Sequence, residues 1–315
     1  MTDLYGAVRE VAAQVSNWGR WGDADELGTL NLITTDAVRR GAATVRTGKS
    51  FTMGVTFGAD GPQTGTIPGR FNPQHYMTAV STSYGDPPDP RGFHFNDDVI
   101  VMPLQAATQW DSLAHVHYDG QLYNGFPVAE SINSWGAHHD GIDKQAEQAY
   151  ATRGILIDAA RLRGVDKLTS GDVITPAMLD EALDHAKLRV EAGDVVLIRT
   201  GHINTWKVDG DRMGFNFGAP GIGIDAVHWL HQHDVAAIAS DTTLVEVMPA
   251  EDPRLICPVH LLTIRDMGMP LGEIFDLEAL AADCADDGVY EFQFVAQPLK
   301  VAQGVGSPIN PIALK

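Results

Sequence analysis

The feature that most constrains this chain is the regular interleaving of short apolar, β-rich runs with helical patterns. Residues 154–158, 194–200 and 235–240 are near-continuous apolar runs, as strands buried on both faces are. Helical patterns lie between them, over 177–189 and 224–233. Thr175 offers a capping hydroxyl to the first of these helices, and Pro176 suits its first turn. A further helix over 276–286 and a strand over 289–296 continue the series. This order predicts the α/β class, with a mixed β-sheet flanked by helices. No polar linker or repeat divides the chain, so residues 1–315 are expected to form one domain.

The first third reads less regularly. Residues 8–15 predict an amphipathic helix, and Thr34-Thr35-Asp36 predicts a capped helix that stops near Gly48. Residues 50–57 alternate as a strand does. Residues 58–91 are rich in Gly, Pro, Ser and Thr with no sustained period, which predicts a long loop over an active site. Residues 98–103 predict a buried strand ended by Pro103.

Composition bounds the partners. A chain with 44% hydrophobic and 20% charged residues is globular. Its 41 acidic and 22 basic residues leave a formal charge of −19, which repels phosphate backbones and argues against nucleic acid. No stretch reaches the roughly 18 apolar residues of a membrane helix, and Met1-Thr2-Asp3-Leu4-Tyr5 lacks the basic start of a signal peptide. Two cysteines, Cys257 and Cys284, suit a reducing compartment. A cytoplasmic protein is therefore expected; a small-molecule partner and a homo-oligomer are further expectations, which composition does not supply.

Chemistry concentrates in residues 105–120. Gln109 and Asp111 are two apart, as are His115 and His117, so each pair shares a side of an extended backbone. Asp and His together hold a metal, or form a base with its orienting partner. The same residues also fit satisfied polar groups in a buried turn.

The run Gln105-Ala106-Ala107-Thr108-Gln109-Trp110-Asp111-Ser112-Leu113-Ala114-His115 resembles the His-x-Gly-Thr-His-x-Asp-x-Pro-x-His motif of the cyclase family of metal-dependent hydrolases, the kynurenine formamidase and isatin hydrolase relatives. Thr108, Asp111 and His115 match, whereas Gln105 and Gln109 stand where the family has histidines. Other segments resemble the family's long-chain branch: residues 18–23 and 28–31, Gly69-Arg70-Phe71-Asn72-Pro73-Gln74-His75, Arg199-Thr200-Gly201-His202 and 306–311. The resemblance implies a swivelling β/β/α-like fold. It also implies metal positions at Gln105, Gln109, Asp111, His260 and Glu273, with His115 carrying protons. Two amide oxygens in place of imidazoles tilt preference from Zn²⁺ towards Mn²⁺ or Mg²⁺, or leave the site without a metal.

The implied activity is hydrolysis of a cyclic ester, cyclic amide or formamide by metal-activated water. Asp111 and His115 are the catalytic candidates, and an ordinary imidazole titrates near 6.5. His75, His202, Trp110 and Phe71 are candidate substrate contacts. Two alternatives stand beside this reading: a metal-free isomerase, lyase or cyclase working through Asp111 and His115, and a non-catalytic binder of small ligands.

Overall fold

The apolar runs become the centre of one sheet in a computed structural model of the chain, which describes residues 5–85 and 87–315. Met1–Leu4, on which the expectation about a signal peptide rests, lie outside the described residues. The strands of the main sheet and of a separate ribbon are, in chain order, β1 (Ser50–Thr52), β2 (Gln74–Ser83), β3 (His94–Val101), β4 (Gln109–Asp111), β5 (Ala151–Asp158), β6 (Val195–Arg199), β7 (Ala237–Ser240), β8 (Leu271–Glu273), β9 (Glu291–Val295), β10 (Gly306–Pro308) and β11 (Ile312–Leu314). Nine of them form a mixed sheet in the order β1-β11-β9-β5-β6-β7-β8-β4-β10. Strands β5 to β8 are mutually parallel. Antiparallel pairs border them, β9 on β5 at one side and β4 on β8 at the other. The mixed α/β fold expected from the sequence is the fold observed.

Each sheet face carries its own core, as period-two alternation requires. One face packs Ile155, Ile157, Val196, Ile198, Ile238 and Leu271. The other packs Leu156, Leu197, Ala239, Trp110, Phe292 and Phe294. Helices α1 (Gly6–Val15), α2 (Thr35–Ala42), α3 (Pro176–Ala186), α4 (Ile224–Gln232) and α5 (Glu278–Asp287) lie near their expected positions. Thr34 caps α2 by accepting from Ala37 N, and Thr175 caps α3 by accepting from Met178 N. Between β5 and β6 the chain buries an ion pair, Arg153 Nη2 to Asp194 Oδ2 at 2.6 Å.

Two expectations fail in the first third. Residues 58–91 are not one structureless loop, because β2 occupies 74–83 and pairs antiparallel with β3. Nor is 98–103 a buried strand: β3 is exposed along nearly its whole length and belongs to a separate two-stranded ribbon. Its Val99, Ile100 and Val101 mimic a core strand in sequence, but they stay exposed on a ribbon that has no third strand among the described residues. Strand β1 is also shorter than the predicted run over 50–57.

Candidate metal and catalytic site

The site forms where β4 joins the parallel strands. Gln109 lies opposite Glu273, and Asp111 opposite Leu271, so all three polar side chains share one sheet face. Thr108 fixes this edge: its hydroxyl donates to Ile274 O at 2.6 Å and accepts from Val55 N at 2.9 Å. Between Gln109 and Asp111, Trp110 points the other way. It is fully buried against Tyr150, Phe275 and Phe294, and its Nε1 donates to Ala296 O. Gly272 makes room for it, since a Cβ there would lie 2.7 Å from the indole. The expectation that Trp110 touches substrate is therefore corrected, because strand alternation turns it into the core.

His260 reaches the site from a short helical turn, Pro258–His260, that runs into a π-helical segment, Leu261–Met267. Such segments often sit at functional sites. Glu246 holds the turn: its carboxylate accepts from Val259 N at 3.1 Å and His260 N at 3.0 Å, and pairs with His260 Nδ1. The other ring nitrogen meets Glu273 Oε1 at 3.1 Å. Gln109 Nε2 then donates to Glu273 Oε2 at 2.8 Å and to Asp111 Oδ1 at 3.4 Å. The result is a buried chain Glu246–His260–Glu273–Gln109–Asp111.

Its electrostatics follow from burial and neighbours. Burial opposes the charged form of His260, but hydrogen bonds to Glu246 and Glu273 prevail and raise it well above the usual imidazole range. Burial, and then the charge of Glu273, push Asp111 well above the usual carboxylate range. His115 stands one turn beyond, its Nε2 3.8 Å from Asp111 Oδ1. Burial drives its pKa down to about 3, with the charge of His260 adding to the effect. The His115 ring is therefore an unprotonated acceptor at neutral pH.

Ligand atoms of Asp111, His260 and Glu273 all lie within 4.8 Å of one another. Asp111 Oδ2 and Gln109 Oε1 are buried without a hydrogen-bond partner among the described residues. Two buried acceptor oxygens beside this cluster suit a divalent cation, which would also reverse the upward shift of Asp111. Gln105 is buried nearby, its Nε2 without a partner and 2.5 Å from where a Cβ on Gly306 would be. Gly306 in turn pairs with Asp111 across the β4–β10 edge.

The remaining candidates scatter. His75 is exposed on β2, where its Nε2 meets Asp98 Oδ2 at 2.8 Å, outside this cluster. Phe71 is 40% exposed in the preceding loop. His202 is buried, stacked on Phe215 with centroids 5.5 Å apart, and its Nε2 has no partner among the described residues. Asp241 holds the turn before it, accepting from Thr200 N and Gly201 N at 2.9 and 2.7 Å. Sequence reasoning missed the orienting role of Glu246 and the placement of Cys257, whose ligand atom groups with Glu246 and His260. The run Cys257-Pro258-Val259-His260 held no local signal for either.

Fold and site together define an α/β protein with a candidate metal centre at one edge of its parallel strands. The chain belongs to the Cyclase family, which matches residues 44–247. A crystal structure described as a novel cyclase is 40% identical in sequence, with a TM-score of 0.87 over 96% of this chain and 99% of that one. Isatin hydrolase A of Labrenzia aggregata, bound to benzyl benzoate, is 17% identical, with a TM-score of 0.61 over 86% of this chain and 94% of that one. The Ralstonia solanacearum enzyme of the same name is 19% identical, with a TM-score of 0.60 over 84% and 91%. These two share the fold. No curated protein matches the chain in sequence.

Proposed function

We propose that this chain hydrolyses a small cyclic ester, cyclic amide or formamide, with Asp111, His260 and Glu273 holding a divalent metal and His115 carrying the proton. The observation that carries the reading is the convergence of those three ligand groups beside unpartnered acceptor oxygens of Asp111 and Gln109. Family membership supports the reaction class. A bound divalent ion supplies Lewis acidity, polarising a carbonyl and acidifying water. Two carboxylates, one imidazole and an amide oxygen form a mostly oxygen donor set, which favours Mn²⁺ or Mg²⁺ over a softer ion. Glu246 orients His260 through Nδ1, as the outer partners of ligating histidines do. His115, unprotonated and beside Asp111, is placed to take a proton from water and return it to the leaving group.

The test is elemental analysis of purified protein by mass spectrometry alongside Asp111→Ala. One divalent ion per chain, lost together with activity in the variant, is expected. Active protein with no metal and no response to chelators would sink the metal assignment. A metal-free acid–base reading has one observation in its favour: Glu273 already hydrogen-bonds Gln109 Nε2 and His260 Nε2.

The same reading extends to organisation. Residues 1–315 are proposed to act as one domain, since the sheet takes strands from both Ser50–Thr52 and Ile312–Leu314. The partner is proposed to be a small molecule and not nucleic acid, which the charge of −19 supports. Two free cysteines support a cytoplasmic location. No helix among the described residues is long and apolar enough to cross a membrane. A homo-oligomer is proposed because the β2–β3 ribbon leaves Tyr76, Val80, Val99 and Ile100 exposed.

A further inference from the structure

The interior of the site is acidic. Asp111, Glu246 and Glu273 surround His260, and any anionic part of a substrate must be held elsewhere. Arg70 stands where such a group would need a partner. It is partly buried, yet no hydrogen bond or ion pair engages its guanidinium among the described residues. By contrast, Arg153, Arg199 and Arg265 each face carboxylates. A charged side chain drawn partly out of water is normally paired.

The loop that carries Arg70 is built to hold it still. Gln63 N donates to Asn72 Oδ1 at 2.7 Å, and Asn72 Nδ2 donates back to Gln63 O at 3.0 Å, closing residues 63–72. Gln63 Nε2 then donates to Ala106 O at 3.0 Å, stapling the loop beside Gln105. Asn216 Nδ2 donates to Pro62 O at 2.8 Å from the other side. Gly69 takes the left-handed turn before Arg70, with φ at +80°. The staple to Ala106 O sets this loop at the strand end that leads into Gln109 and Asp111, and Arg70 lies within electrostatic reach of Asp111, His115 and Cys257.

We propose that Arg70 is the anion clamp of this site and that the substrate is a small organic carboxylate, gripped by the guanidinium while its reactive carbonyl lies towards Asp111 and His115. This rests on the hydrolase reading above and narrows its substrate class. A guanidinium fork matches a carboxylate bidentately, giving orientation as well as affinity.

Benzoate and its neutral analogue benzamide, titrated calorimetrically into the wild type, Arg70→Gln and Arg70→Lys, test the clamp without any turnover. The wild type is expected to prefer benzoate by roughly 10- to 100-fold, the usual worth of a charged hydrogen bond. Arg70→Gln should erase that preference with an unchanged melting temperature, and Arg70→Lys should keep part of it. No preference in the wild type, or a preference that survives in Arg70→Gln, overturns the proposal. A pair of aryl esters, one carboxylated and one neutral, adds a kinetic arm. Arg70→Gln should raise KM for the carboxylated ester alone, whereas an equal fall in kcat for both would place Arg70 at the oxyanion and overturn the clamp. If the wild type hydrolyses neither ester, the hydrolase reading is what suffers, and the benzoate titration still decides the role of Arg70.

Discussion

His115 shows how far a residue's surroundings can move it from its type. An ordinary imidazole is part-protonated near neutrality, but burial holds this one unprotonated down to about pH 3. Above about pH 4 the ring remains a base, and any limb of the activity profile near neutrality belongs to another group. His115→Ala should lower kcat by roughly two to four orders of magnitude while metal content stays constant. Steady-state kinetics with metal analysis of the same samples checks both. A variant with near-normal kcat would move the proton-carrying role elsewhere.

At the scale of elements, the ribbon of β2 and β3 is the least expected part of the molecule. Two strands alone are marginal in water, and this pair leaves Val80 70% and Ile100 46% exposed. Exposed apolar surface of this kind marks an interaction face. If a second copy of the chain covers it, sedimentation should find a dimer or larger assembly at micromolar concentration. Val80→Asp with Ile100→Asp should then yield a folded monomer, judged by unchanged far-UV circular dichroism. A wild type that sediments as a monomer would refute the assignment.

For the whole molecule, stability depends on carboxylates kept inside it. Asp140 is fully buried, and both its side-chain oxygens lack partners among the described residues. Burial, reinforced by the charges of Glu26 and Asp25, raises its pKa to about 9. An unfolded Asp titrates near 3.9, so between about pH 4 and 9 the folded chain keeps a proton that the unfolded chain has released. Stability contributed by this group is therefore present below about pH 4 and is lost as pH rises towards 9. Asp140→Asn should match the wild type near pH 4 and melt higher near pH 8, by on the order of 10 °C. Melting curves across that range test this, and a difference that does not vary with pH would contradict it. The position bears on the site as well, because Asp140 O accepts from Ala114 N, next to His115.

The sequence by itself determined the α/β class, the central strands and the capped helices, and it marked Gln109, Asp111 and His115 as candidates. Apolar period, capping residues and the spacing of Gln109, Asp111 and His115 are local properties, written within a few residues of where they act. His260 and Glu273 came through family resemblance and not through spacing, since nothing local ties them to Asp111. Only the tertiary structure decided which face each residue serves. It turned Trp110 into the core and Gln109 into the site, although the two are neighbours in sequence. It left Val99–Val101 in solvent although they read as a core strand, because burial depends on what else packs against a strand. It also brought Glu246 onto His260 and stapled the Arg70 loop beside Gln105. Such contacts join residues distant along the chain, and their geometry exists only once the sheet edge has formed.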